Sequence, residues 1–217
     1  MDFEQARFNM IEQQIRPWEV LDQRTLDAFS TLHREDFMPA AYRELALADV
    51  NVPLGHGQIT MTPKVEGRML QSLAIEPRDR VLEVGTGCGF VTALLASHGG
   101  SIVSVDVFAD FVEAAALKLA RCGLSNVTLR SGDACRGWPA EGPYDAIAVT
   151  GSVPLLNNDF ERQLTVGGRL FVIVGQAPVM EAMLITRLGD QDWSREPLFE
   201  TVLPPLVGLP APSRFRF

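Results

Sequence analysis

One ten-residue stretch constrains this chain more than any other: Val81-Leu82-Glu83-Val84-Gly85-Thr86-Gly87-Cys88-Gly89-Phe90. An apolar run that reads as a buried strand leads into glycines at three alternate positions, and a helix-like segment, Val91 to Ser97, follows at once. Glycine there permits positive φ and lets a ligand approach without meeting a Cβ. The N–H groups opening the next helix would then face a crevice. Taken alone, the loop is also consistent with a tight strand-to-helix turn that binds nothing.

The downstream pattern argues for a ligand. The strand-like run Ser101 to Val105 ends in Asp106, a position from which one carboxylate can accept both hydroxyls of a ribose diol. A third run, Asn126 to Arg130, is followed by Ser131-Gly132-Asp133-Ala134, and a fourth covers Tyr144 to Thr150. Each aspartate alone would be an ordinary turn residue or cap. Gathered on the carboxyl rim of one α/β sheet, Asp106 and Asp133 read as parts of a nucleoside pocket, and Asp145, at the start of its strand, as structural. The spacing Gly85-x-Gly87-x-Gly89 departs from the G-x-G-x-x-G of dinucleotide sites. Glu83 ahead of the loop would repel a pyrophosphate and suits a cationic ligand; the sulfonium and amino group of S-adenosylmethionine fit. The donor-side set is Glu83, Gly85, Thr86, Gly87, Gly89, Asp106, Val107, Gly132, Asp133 and Ala134.

From Asp79 to Val174 strand and helix patterns alternate, which predicts a parallel sheet with right-handed crossovers. Beyond Gly175, Ala182 to Arg187 and Phe199 to Leu203 read as strands around a polar turn, Gly189 to Asp192, and so as an antiparallel far edge. Before Ala74 the chain looks helical and interrupted. Phe3, Met10, Ile11 and Ile15 share a face that Pro17 ends, Thr25 to Leu32 is a second helix, and Pro63 opens a third. The expected architecture is α/β and Rossmann-like, with a mostly parallel sheet and antiparallel C-terminal edge strands. An N-terminal helical extension (1–75) forms one compact unit with the core (76–217). The tail closes in Phe215-Arg216-Phe217, whose phenylalanines are expected to pack on the body or on a partner.

Several segments together resemble the protein-L-isoaspartate O-methyltransferases, over nearly the whole chain. Arg34-Glu35-Asp36-Phe37-Met38-Pro39 is similar to that family's "PREKFV" element, and Pro53-Leu54-Gly55-His56-Gly57-Gln58 to its "LPIGxGQ". Val81 to Gly89 resembles "VLEIGTGSG", and Gly132 to Trp138 "GDGxxGW". Pro143 to Thr150 resembles "PYDxIxVT", and Gly167 to Leu170 with Val174-Gly175 "GGxLVxPVG". The resemblance implies a class I S-adenosylmethionine-dependent carboxyl O-methyltransferase that repairs damaged aspartyl residues and releases S-adenosylhomocysteine.

The departures from the family pattern fall on the acceptor side. After GxGQ the family reads Thr-Ile-Ser-x-Pro; here Ile59-Thr60-Met61-Thr62-Pro63 puts Met61 at the serine position. A thioether donates no hydrogen bond, and neighbouring residues of an extended segment, such as Thr60 and Thr62, point opposite ways from it. Pro204 in Val202-Leu203-Pro204-Pro205-Leu206 removes a donor from a stretch that in the family pairs with the substrate peptide. The glutamine that the family carries after Val174-Gly175 is out of register at Gln176. An isoaspartyl carboxylate is already ionised at neutral pH and needs no base. The candidate acceptor-side groups are Thr60, Thr62 and His56, with His56 as the base if the acceptor were a hydroxyl or amine. Gln58, Met61 and Pro204 would line the substrate side. The alternatives are a methyltransferase for another acceptor, a small molecule or a protein, and a cofactor-binding member without catalysis.

Composition narrows the partners. A net charge of -8, from 27 acidic and 19 basic residues, disfavours nucleic acid. No leader or membrane-spanning run is readable, so a cytoplasmic protein is expected. Three irregularly spaced cysteines, Cys88, Cys122 and Cys135, predict neither a disulfide framework nor a metal site.

Overall fold

The computed structural model describes residues 2–156 and 158–209. The N-terminal extension begins with α1 (Phe3–Met10), which runs on through a π turn (Ile11–Ile15) and a 3-10 turn (Arg16–Trp18). The chain reverses at Glu19, whose φ is 60°. Next come α2 (Gln23–Thr31), two 3-10 turns (Arg34–Asp36 and Ala40–Leu45), a hairpin of β1 (Pro53–Gly55) and β2 (Gln58–Ile59), and α3 (Pro63–Leu73). Asp22 caps α2 by accepting the Thr25 N–H, and Pro63 occupies the first turn of α3, where a missing N–H costs nothing.

The core alternates β3 (Arg80–Val84), α4 (Phe90–Ala96), β4 (Ser101–Asp106), α5 (Ala109–Arg121), β5 (Val127–Ser131), β6 (Tyr144–Val153), α6 (Asn158–Glu161) and β7 (Leu164–Gln176). The chain then doubles back through β8 (Val179–Gly189) and β9 (Asp192–Thr201). Sheet order is β5-β4-β3-β6-β7-β8-β9, parallel up to β7 and antiparallel beyond it. The connection direction switches between β3 and β6, where open α/β sheets form their ligand crevice.

Two expected strands are longer than read and shifted: β8 starts at Val179, and β9 runs from Asp192 and stops before Val202. The turn between them needs only Asp190 and Gln191. Polar residues such as Asp192, Ser194 and Glu196 on the outermost strand hide it from a hydropathy pattern. Leu203 to Leu206 leaves β9 to lie along the end of β6: Ser152 N–H donates to the Pro204 carbonyl (3.0 Å) and Leu206 N–H to the Ser152 carbonyl (2.9 Å). Asp145 is structural as expected, accepting the Arg80 N–H and the Thr165 hydroxyl. The packing expected of Phe215 and Phe217 falls outside the described residues. Among those described, no helix is long and apolar enough to cross a membrane.

Strand alternation divides the core. Val81, Ala146, Ala148, Phe171 and Ile173 face the layer of α3, α4 and the N-terminal extension. Leu82, Val84, Ile147, Val149, Leu170 and Val172 face the opposite side, with Phe160 of α6. Both faces are covered, which is why these strands read as nearly continuous apolar runs.

Two buried polar networks fasten this frame. Arg34 has no exposed surface. It grips Glu66 of α3 with Nε and Nη2 (3.0 and 2.9 Å) and donates to the carbonyls of Ala46 (2.5 Å) and Met61 (2.9 Å) and to Thr60 Oγ1 (3.2 Å). Its guanidinium also lies 5.5 Å from the ring centroid of Phe90. The second network lies under the glycine loop. The Thr92 and Ser104 hydroxyls both donate to Glu83 Oε2 (2.5 and 2.6 Å), and Thr86 Oγ1 meets Ser104 Oγ at 2.6 Å. Burial pushes the Glu83 carboxyl up to about 8, against the pull of the Ser104 and Thr92 hydrogen bonds and with help from Asp106.

Arg34→Met should strand the Glu66 carboxylate in the interior and destabilise the fold by about 3–5 kcal/mol, read from urea unfolding. Replacing both partners by apolar residues should cost less than either single change. For Glu83, the unfolded chain sheds its proton near 4.5 and the folded protein only near 8. Its contribution to stability is therefore complete below 4.5 and lost as pH rises towards 8. Glu83→Gln, which keeps an oxygen for both hydroxyls, should flatten that slope in unfolding midpoints compared at about pH 5 and about pH 8.

Candidate active site

The carboxyl ends of β3, β4, β5 and β6 surround one cleft. Its walls are the glycine loop after β3, Asp106 to Phe108 after β4, Gly132 to Cys135 after β5, and Thr150-Gly151 of β6. The β1–β2 hairpin covers it from one side with Leu54, Gln58 and Ile59, and the C-terminal segment closes the other with Leu206 and Val207. The space between these walls is about 580 Å³, counting the rim open to solvent.

The loop glycines are required by conformation: φ is 100° at Gly85, 51° at Gly87 and 86° at Gly89. At Gly85 a Cβ would lie 2.3 Å from Thr150 Oγ1 of β6, the parallel neighbour of β3 across the switch in connection direction. At Gly89 it would meet the Cβ of Ala115 at 3.0 Å, so Gly89 serves the approach of α4 to α5 and does not line the cleft. The N–H groups of the three glycines are taken up by the protein itself. Gly85 donates to the Val105 carbonyl, Gly87 to Asp106 Oδ2 (2.8 Å) and Gly89 to the Thr86 carbonyl. The loop offers shape and close approach more than donors.

Asp106 is held by two backbone N–H groups, from Gly87 on Oδ2 and from Phe108 on Oδ1 (2.9 Å). It is 7% exposed, and each oxygen retains acceptor capacity on the cleft side. Burial raises its carboxyl above the ordinary range, opposed by the Gly87 and Phe108 hydrogen bonds. Asp133 accepts the Cys135 N–H (2.9 Å) and lines the cleft with Gly132, Ala134 and the half-exposed Val107.

Glu83 takes a different place from the one its charge suggested. It has no exposed surface, and its carboxyl turns into the hydroxyl network beneath the loop, away from the cleft lining. A carboxyl with its affinity for protons raised to about 8 stays largely neutral at pH 7, so it supports Thr86 in place of presenting a negative charge.

A smaller recess adjoins the cleft at Gly85 to Cys88 and is lined by Thr60, Met61, Leu54, Ile59, Val91 and Thr150, with Glu66, paired to Arg34, also on its wall. Met61, at the family's serine position, is 4% exposed with its side chain on this recess. Of the three threonines there, Thr86 bonds Ser104, and Thr150 donates to the carbonyls of Val84 and Gly85. Thr60 Oγ1 accepts from Arg34 and from Val52 N–H (3.0 Å), which leaves its own proton available. Thr62 stands outside this recess; its hydroxyl is buried with no hydrogen-bond partner among the described residues.

His56 lies outside both linings. With Gly57 it forms the two-residue turn of the hairpin, φ 51° and 70°, a type I′ geometry. Its ring stacks on Phe108 (centroids 4.1 Å apart, planes at 7°), and Nε2 meets Asp110 Oδ2 at 2.9 Å. Gln58 lines the cleft and donates weakly to the His56 carbonyl (3.3 Å). Pro204 contributes its carbonyl to Ser152, and its neighbours Leu206 and Val207 reach the cleft. Phe108, Phe111, Thr150 and Arg34 are site-forming residues that pattern reading overlooked. Only Arg34 had a readable signal, since Glu66 interrupts the buried stripe of α3 and requires a buried partner.

Comparison with known proteins gives the same frame. The profile of the Protein-L-isoaspartate(D-aspartate) O-methyltransferase (PCMT) family matches residues 5–210. A protein-L-isoaspartate O-methyltransferase of Rhodopseudomonas palustris is 38% identical over 200 residues, 92% of each chain. One from Methylorubrum populi is 39% identical over 186 residues, 86% of this chain and 87% of its own. A Plasmodium falciparum structure assigned as a protein-L-isoaspartate O-methyltransferase, in complex with S-adenosyl-L-homocysteine, superposes with a TM-score of 0.77. That match has 17% identity and covers 95% of this chain and 98% of the other, a likeness of fold. The mostly parallel sheet with its antiparallel edge is the Rossmann-like class I methyltransferase architecture. The match along almost its entire length makes this chain a member of the protein-L-isoaspartate(D-aspartate) O-methyltransferase family.

Proposed function

We propose that the protein transfers the methyl group of S-adenosylmethionine to the carboxylate of an isoaspartyl or D-aspartyl residue in a peptide or protein. The observation that carries this reading is the junction of cleft and recess at Gly85 to Gly87, with Asp106 on one side and the Thr60-Met61 segment on the other. The residues fit the donor. Beyond the bonds from Gly87 and Phe108, each Asp106 oxygen keeps acceptor capacity for a ribose diol, and Gly132 to Ala134 bound the base end.

Bound there, S-adenosylmethionine supplies an electrophilic methyl carbon on a sulfonium. The chain's own part is orientation and exclusion of water. Leu54, Ile59, Met61 and Val91 make the recess largely apolar, which favours a transfer that neutralises opposite charges. The acceptor oxygen arrives ionised, so no side chain need take a proton. Thr60 can donate its hydroxyl proton to the acceptor carboxylate, positioned by Arg34 and Val52. The carboxylate oxygen gains the methyl, the S–C bond pair stays on sulfur, and the products are a methyl ester and S-adenosylhomocysteine.

Transfer of labelled methyl to a synthetic isoaspartyl peptide, with the aspartyl peptide as control, tests the reading; equal or absent labelling of the two would refute it. Asp106→Asn should weaken S-adenosylmethionine binding by about ten- to a hundredfold, the size expected for lost hydrogen bonds to a charged acceptor. Because burial raises the Asp106 carboxyl, wild-type affinity should fall on acidification at a higher pH than an ordinary carboxylate would give, and calorimetry across pH checks this. Met61→Ser should restore a donor at the acceptor and raise kcat/KM for the isoaspartyl peptide by about tenfold or more. No gain would mean that Thr60 already meets the need.

A further inference from the structure

We infer that His56 is a positioning residue, latching the Pro53–Ile59 hairpin over the cleft through Phe108 and Asp110 and so setting how long the methyl donor stays bound. The inference rests on the reading of the cleft as a donor site. A hairpin with strands this short has no stability of its own, so its place depends on its anchors. At its base, Thr60 N–H donates to the Val52 carbonyl (2.9 Å), Val52 N–H to Thr60 Oγ1, and the Asn51 amide to the Thr60 carbonyl (2.8 Å). At its tip the described contacts are those of His56: the stack on Phe108, an edge against Phe111 (5.4 Å, 70°) and the bond to Asp110. Between the two anchors, Leu54, Gln58 and Ile59 hang over the cleft.

The latch is joined to the ligand wall. Phe108 lines the cleft while carrying the His56 ring, and its N–H is held by the same Asp106 carboxylate assigned to the ribose. His56 itself touches neither cleft nor recess, and 43% of its side chain is exposed. Its left-handed φ of 51° is unfavourable for a residue with a side chain. The ring contacts hold the tip in that conformation. Opening the hairpin must break the stack and the Asp110 bond together, so these contacts slow the escape of a bound donor.

The test uses the full-length protein and measures binding and dissociation of S-adenosylhomocysteine, by calorimetry and by competitive chase. His56→Gly suits the left-handed turn, removes the ring and leaves the cleft lining intact. It should speed dissociation about fivefold, the scale of one lost aromatic stack, and raise the KM for S-adenosylmethionine without moving the KM for the isoaspartyl peptide. His56→Phe keeps a ring for Phe108 and should return dissociation most of the way to wild type. Asp110→Asn, on the surface, should show a smaller increase in the same direction. A His56→Gly protein that releases the ligand at the wild-type rate overturns the latch. So does a His56→Phe protein that releases it as fast as His56→Gly. Wild-type protein that binds no S-adenosylhomocysteine overturns the donor reading and the latch with it.

Discussion

The arrangement of this protein depends on a guanidinium withdrawn from water. Arg34 sits inside the N-terminal extension where the turn at Ala46, α3 and the Thr60-Met61 segment meet, and five hydrogen bonds connect it to all three. Burying such a charge is costly unless a carboxylate and further acceptors surround it, and Glu66 with two carbonyls and a hydroxyl does so. The planar fork of arginine can satisfy this many acceptors with fixed directions; a lysine would offer one point of charge. The outcome is geometric. The carbonyl of Met61 and the hydroxyl of Thr60 are fixed by a group that cannot move without leaving Glu66 unpaired.

On the other side of the junction, support is also polar and buried, but neutral. Glu83 carries hydroxyl partners on one oxygen, and the chain of contacts Thr92–Glu83–Ser104–Thr86 ends in the glycine loop. A carboxyl that keeps its proton can sit beneath a site without adding a charge next to Asp106. Acceptor side and donor side are thus each backed by their own network, one ionic and one neutral, and they meet at Gly85 to Cys88.

Much of this was legible in the sequence. The three alternate glycines, the Asp106 strand end and the Gly132-Asp133 turn fall on one rim because parallel strands share a carboxyl edge. The direction of side chains was much less legible. Glu83 follows the alternation of its strand into the α4 side of the sheet, so a residue adjacent in sequence to the loop is absent from its surface. His56 looked available for chemistry in an apparently open loop, but two phenylalanines fifty-odd positions away in the chain take its ring. The extent of β9 was hidden because its outermost residues are solvated and carry no hydrophobic period. Local pattern reports which elements exist; the partner of a single polar side chain is decided by distant segments.

Because Gly85, Gly87 and Gly89 already spend their N–H groups on the protein itself, the left-handed backbone of the loop is assembled before any ligand arrives. Ordering glycines is entropically the most demanding step a backbone can take, and here that loss falls on folding, not on association. Donor affinity and conformational stability are therefore tied to the same residues. A substitution that loosens the loop would surrender both together, while one that stiffens it would act first on stability, since the glycine N–H groups are bonded within the protein.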